Sequence, residues 1–288
     1  MPSLKKIVCL ANSKKNGERC IAGIDLDTGN WIRPVCIRDG YSDDGRVPRD
    51  VRLVERREPE LLDILEIPLA DEGNNFDFES ENLTILSGEW RLLGKAKPTD
   101  VFQYCGNYPY IFHNRKKYVN VSELQSLPFR QRRTLQLLHV VNLSVQSQGI
   151  KQWKGSLETA SGQKLTDAKI TDPIFIEKLE TGYQITNDYL VTVSLGMPWA
   201  HDNWEGEPPC WKLIAGVIDF PKFASQQSDL IAQTDKEIER IGWDIDQGRK
   251  YLQQTFNKIS RQQLSLEELT QFLNYLKSIP DDFDNLPF

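Results

Sequence analysis

The sequence predicts a mainly β chain with an α-helical C-terminal region: two small β-barrels followed by a module of two or three helices. Three observations carry that expectation. Residues 4–40 alternate short apolar runs with turn residues. A second series of short apolar runs starts at Leu135, with no amphipathic helix interleaved among them. From Ser225 onward the apolar spacing changes from strand-like to helical.

Taken in order, Ile7, Val8 and Leu10 mark a first strand, which enters a basic loop at Lys14, Lys15, Gly17 and Arg19. Residues 20–25 form a second strand, an Asp-Thr-Gly turn follows, and residues 31–35 form a third. This is the opening of a small barrel and not a βαβ nucleotide-binding unit. Residues 61–69 read as a buried strand ended by Pro68 and an acidic Gly/Asn loop. Residues 83–93 place apolar runs on both sides of a Ser87-Gly88 turn and complete a first barrel over 1–97.

Residues 98–134 form a basic connector with turn signals such as Tyr108-Pro109-Tyr110 and a short helical turn over 122–127. The segments 137–145, 152–157, 164–170, 189–195 and 211–220 are the strands of a second barrel over 135–224. Residues 225–288 are the helical module. Helices are expected over 228–241 and over 245–256, the latter with Ile245, Leu252 and Phe256 inward. A further helix places Leu266, Leu269, Phe272, Leu273 and Leu276 on one face, opened by Ser265 and Glu268 at capping-box spacing. The acidic end, Asp281 to Asp284, is expected to fray.

Composition restricts the function classes. With 288 residues, 39% of them hydrophobic, the chain can bury a sizeable core. No apolar run approaches the length of a membrane helix, and the apolar run at the start is too short for a signal peptide, so a cytoplasmic location is expected. Five widely spaced cysteines without a CxxC pair read as reduced thiols rather than a disulfide framework or a zinc site.

The net charge of −6 conceals a polarised chain. Residues 39–84 hold 14 acidic and 5 basic side chains, whereas residues 85–170 hold 13 basic and 5 acidic. Arg91, Lys95, Lys97, the run Arg115-Lys116-Lys117, and Arg130, Arg132 and Arg133 are clusters of the kind that attract phosphates. An equal alternative is a solvated surface paired with the acidic segment.

The Asn12-Ser13 loop, the Arg19-Cys20 pair before a strand, and above all Trp31-Ile32-Arg33-Pro34 after Gly29 resemble the start of the dual OB-containing domain family. These are bacterial proteins built from two OB-like barrels. Residues 189–199 (YLVTVSLGMPW) and 211–218 (WKLIAGVI) resemble the family's closing strands, so the likeness spans residues 1 to about 220. It implies two OB-like β-barrels and a nucleic-acid or defence context. The tail, with Gly242-Trp243, Gln247-Gly248-Arg249 and Phe272-Leu273-Asn274-Tyr275-Leu276, is similar to a helical tail of cyanobacterial proteins, including some single-strand annealing proteins. It implies a docking or DNA-associated module.

Nothing in the sequence assembles a catalytic constellation or calls for a cofactor or a metal. His113, His139 and His201 stand far apart outside any HExxH or CxxC setting, and no phosphate-loop motif is present. Cys20 beside Arg19 is the one candidate nucleophile, against the commoner reading of a buried strand cysteine.

Binding has the better support, because OB-type barrels stack bases on aromatic rings and pass phosphates along basic side chains. The candidate contacts are Lys14, Lys15, Arg19, Trp31 and Arg33, then Trp90 and Arg91. Arg115, Lys116, Lys117, Arg130, Arg132 and Arg133 follow in the connector, and Trp153, Lys154, Trp199 and Trp204 in the second barrel. For Trp31 and Trp211, both in strands, a core position is equally consistent. Trp199 and Trp204 sit in a Pro/Gly/Asp-rich loop and are the better exposed candidates. The expected function is non-enzymatic binding of single-stranded DNA or RNA, as a sensor or adaptor. The alternative is a protein-interaction scaffold or small-nucleotide sensor whose residues 225–288 recruit a protein partner.

Overall fold

The computed structural model of the chain describes residues 3–106, 108–185 and 188–280. Its β structure forms two six-stranded sheets. The first contains β1 (Ser3–Lys15), β2 (Glu18–Asp25), β3 (Trp31–Val35), β4 (Asp63–Leu69), β5 (Asn82–Thr84) and β6 (Arg91–Lys95), in the order β5-β3-β2-β1-β4-β6. A one-turn helix, α1 (Arg49–Arg52), lies between β3 and β4. β1 and β2 are antiparallel across the Asn16-Gly17 turn, where both residues have positive φ. Among the described pairs of this sheet, β3 with β5 is the parallel one. Ile7, Ile21, Leu65, Ile67 and Leu69 fill the core against this sheet.

Between the sheets the chain forms α2 (Pro98–Val101), β7 (Tyr118–Val119) and α3 (Val121–Gln125). The second sheet contains β8 (Leu135–Gly149), β9 (Gln152–Thr159), β10 (Lys164–Lys169), β11 (Asp188–Leu195) and β12 (Cys210–Phe220), in the order β10-β9-β8-β11-β12-β7. β7 falls in the stretch read as a connector, yet it pairs with β12 as an edge strand.

A helix, α4 (Pro173–Glu180), lies between β10 and β11, where no interleaved helix is expected from the sequence. Asp172 caps it by accepting the Ile174 and Phe175 N–H groups, and Pro173 fits the first helical position. Phe175 and Leu179 join the core of the second sheet with Leu138, Val140, Tyr189 and Val191.

Two seams join the sheets. At the first, Ala11, Ala22 and Ala215 pack closely, and a Cβ on Gly216 would meet the Leu10 carbonyl oxygen at 2.4 Å. The Thr192 hydroxyl donates to the Leu10 carbonyl there at 2.6 Å, and the Lys14 N–H donates to the Thr171 carbonyl at 2.8 Å. The second seam is a buried polar network. Arg33 pairs with Glu79 at 2.7 Å and donates to the Asn82 side-chain oxygen and the Thr134 hydroxyl, while Thr134 donates through its N–H and hydroxyl to Glu81.

The described residues from Phe220 onward form a separate compact unit. It holds α5 (Lys222–Arg240), α6 (Ile245–Phe256) and α7 (Leu266–Ser278). The capping box at Ser265 and Glu268 is formed, and Leu269, Phe272, Leu273 and Leu276 are buried while Leu266 is half-buried. Ile245, expected inward, is 73% exposed: it shares a helical face with Leu252, seven residues on, but as the first residue of α6 it stands outside the cluster that buries Leu252. Residues Asp281 to Asp284 lie outside the described residues. No helix among the described residues is long and apolar enough to cross a membrane.

Candidate functional site

A groove of about 830 Å³ opens within the unit that holds both sheets. The end of β1 and the loop after it bring Lys14 and Lys15 to it. β9 and β10 bring Lys154 and Lys169, and Lys117 arrives from the residue before β7. Trp199, Trp211 and His201, in β12 and the loop before it, complete the wall. Of the residues singled out from the sequence, Lys14, Lys15, Arg33, Lys117, Lys154 and Trp199 are thus brought together.

Their electrostatic states differ. Lys14, Lys154 and Lys169 are exposed and have no ion-pair partner among the described residues. Lys15 donates to the Asp44 carbonyl at 2.6 Å. Lys117 pairs with Asp167 at 2.7 Å, and that ammonium holds the Asp167 carboxyl below its ordinary value. Asp167 sits at a bulge in β10 with φ of 52°, so its side chain leaves the alternation of the strand. Arg33 is buried and engaged with Glu79, so it is part of the seam and not a free phosphate contact.

The aromatic side of the groove is a small assembly. The Trp211 indole N–H donates to the Trp199 carbonyl at 2.8 Å. The Trp204 ring sits edge-on to Tyr118, Trp211 and His201 at 5.2–5.6 Å, and its N–H donates to the Glu207 carbonyl. Trp199 itself is 61% exposed, so a base can reach its face. Trp204 is half-buried within the assembly and does not line the groove.

Other candidates are placed elsewhere. Trp90, expected as a stacking ring, is buried in the core of the first sheet. Trp31 is half-buried at the seam against Ala11, Ala22 and Leu135. Trp153 packs on the second core, with its indole N–H donated to Glu180. Arg19 is half-buried on β2, and its carbonyl accepts the Val47 N–H. Arg132 is half-buried and donates to the carbonyls of Leu127, Asp77 and Gln125, so it ties its own loop to the acidic segment at Asp77.

The remaining cations disperse rather than form one basic connector surface. Arg91 faces Glu66 at 3.6 Å, and Lys95 pairs with Glu60 of the acidic segment at 2.6 Å. Lys116 faces Glu123, Arg115 lies over Tyr110, and Arg133 lies over Tyr108. Arg130 is exposed at a 3₁₀ turn.

Lys169 escaped the sequence reading, whereas Lys212, which follows Trp211 as one more aromatic-basic pair in the sequence, is buried and has a structural role. Lys212 is buried in β12 and donates to the carbonyls of Ile111 and Asn114 and to the Asn114 side-chain oxygen. Burial pulls its amine down to about 8, so at neutral pH it remains an ammonium whose three donors meet three oxygens. It anchors the His113-Asn114 loop. Cys20 is half-buried at the groove opposite Ser13. Among the described residues no group of three or more His, Cys, Asp or Glu is placed to hold a metal ion.

The model of the dual OB-containing domain family matches residues 5–217, the span of both sheets. Over 68 residues the chain is 46% identical to the uncharacterized protein slr1353 of Synechocystis sp. (strain ATCC 27184 / PCC 6803 / Kazusa). That match covers 24% of this chain and 23% of the relative, so only about a quarter of the relative's length is spanned. A solved structure described as "Molecular basis for abrogation of activation of pro-inflammatory cytokines" aligns over 75% of this chain and 95% of its own, at 11% identity and a TM-score of 0.23, too low to bear on the fold.

Proposed function

This chain belongs to the dual OB-containing domain family, and from that premise we propose that it binds single-stranded DNA or RNA in the groove as a non-enzymatic cytoplasmic protein. The observation that carries the reading is the convergence of exposed lysines from distant parts of the chain, Lys14, Lys117, Lys154 and Lys169, on a groove that also exposes Trp199. Lysines release counterions when they meet phosphates, and an exposed indole accepts any base by stacking. Asp43, Asp44 and Asp167 temper the groove's charge, which favours a strand carrying bases over a bare polyanion.

A sensor or adaptor place in bacterial defence or DNA metabolism suits a binder without chemistry of its own. Titration of the full chain with a short oligothymidylate at low salt, followed by tryptophan fluorescence, tests the proposal. Quenching that disappears with Trp199→Ala is expected. Absence of binding at low salt overturns the reading, and rapid native-state alkylation of Cys20 with loss of an activity overturns its non-enzymatic part.

A second role is favoured by the helical unit, which exposes Ile245, Ile259 and part of Tyr275. We propose that residues 225–288 recruit a protein partner. Capture of a partner should be lost when they are removed, with oligonucleotide binding retained; retained capture contradicts this role.

A further inference from the structure

Lys154 and Lys169 are direct cross-strand partners on β9 and β10. Both are exposed and both line the groove. Like charges opposite each other on one face of a sheet weaken it, so such a pair needs a compensating anion. The neighbouring lysines have one within the protein: Lys164 faces Glu158 at 3.5 Å and Lys117 meets Asp167 at 2.7 Å. Lys154 and Lys169 are in no close ion pair among the described residues, and the Asp167 carboxylate whose field Lys154 shares is already paired with Lys117. Lys14 is drawn beside them because its N–H donates to the Thr171 carbonyl, two residues beyond Lys169, at 2.8 Å.

The dimensions of the groove restrict what the anion belongs to. Its 830 Å³ falls in the range of roughly 300–1,000 Å³ typical of small-ligand clefts, whereas an OB barrel that tracks a strand covers about 4–16 nucleotides. Among the described residues it offers one exposed indole, Trp199, and three lysines in no close ion pair, Lys14, Lys154 and Lys169. We infer that the Lys154 and Lys169 pair is a phosphate clamp and that the groove holds a phosphodiester-linked segment of about two to three nucleotides. Each phosphate is met by one or two ammonium groups while one base stacks on Trp199. This assignment rests on the nucleic-acid reading of the groove and specifies its ligand.

The test is a length series of oligothymidylates and oligouridylates, from dinucleotide to 16-mer, titrated into the full chain at low salt. Affinity corrected for the number of binding registers is expected to rise to about three nucleotides and then stay level. Lys154→Gln with Lys169→Gln is expected to weaken trinucleotide binding about tenfold, with a Tm equal to or above that of the parent because the repulsion is gone. Register-corrected affinity that climbs steadily from four to 16 nucleotides overturns the short site while leaving the nucleic-acid reading intact. Binding at no length overturns both. Unchanged affinity in the double variant, or a Tm that falls with the affinity, overturns the clamp.

Discussion

The Trp199 ring is exposed while its own carbonyl accepts the Trp211 indole N–H, so a fixed backbone presents a free aromatic face. Trp199→Ala should therefore weaken oligonucleotide binding by about 1–3 kcal/mol and leave the melting temperature unchanged. Trp90→Ala should do the reverse, costing about 3–5 kcal/mol of stability by opening a cavity; titration and denaturant unfolding of both variants check the pair. His113 gives a pH signature. Burial holds its imidazole below the ordinary 6.5, and one ring nitrogen meets the Arg133 carbonyl at 3.0 Å. The unfolded chain then binds more protons than the folded one just below pH 6.5, so stability falls as pH drops through that value and the loss levels off below the folded pKa. In His113→Gln this part of the acid loss should vanish, as read by Tm between pH 5 and 8. The sequence could not separate such roles, because Trp31, Trp90 and Trp153 have the same basic or apolar neighbours as an exposed tryptophan. Only the packing distinguishes them.

Among the elements, those with local signals were readable. The Ser265 and Glu268 capping box and the apolar face behind it define α7, and short, largely apolar runs buried without alternation define β1 and β11. α4 was missed although Asp172-Pro173 is a start signal, because eight residues carry too little periodicity against surrounding strands. Two features had no local signal at all. The small-residue seam depends on β1 meeting β12 across some 200 residues, and its tightest contact is Gly216 on the Leu10 carbonyl. Gly216→Ala should cost about 1–3 kcal/mol or more, measured by chemical denaturation, with a neutral outcome contradicting the seam. The β10 bulge puts Asp167 in the left-handed region beside Lys117. Asn tolerates that backbone, so Asp167→Asn should release Lys117, raise oligonucleotide affinity and steepen its salt dependence. Weaker binding would contradict the assignment of Lys117 to the groove.

At the scale of the molecule, the polarised charge visible in the sequence resolves into two uses. Part of the basic stretch neutralises the acidic segment, as Lys95 does with Glu60 and Arg91 with Glu66. The other part supplies Lys117, Lys154 and Lys169 to the groove, where Lys14 joins them from the opposite sheet. Which lysine would serve which use depends on register and on the seams between the sheets, so a linear reading found the charge but not its placement. The salt dependence of oligothymidylate affinity tests the central claim most directly, compared between the parent chain and the Lys154→Gln, Lys169→Gln double variant. The groove account predicts that log affinity falls linearly with log salt by about 0.7 per neutralised phosphate, with a shallower slope in the variant. A flat response, or the same slope in both proteins, would contradict it.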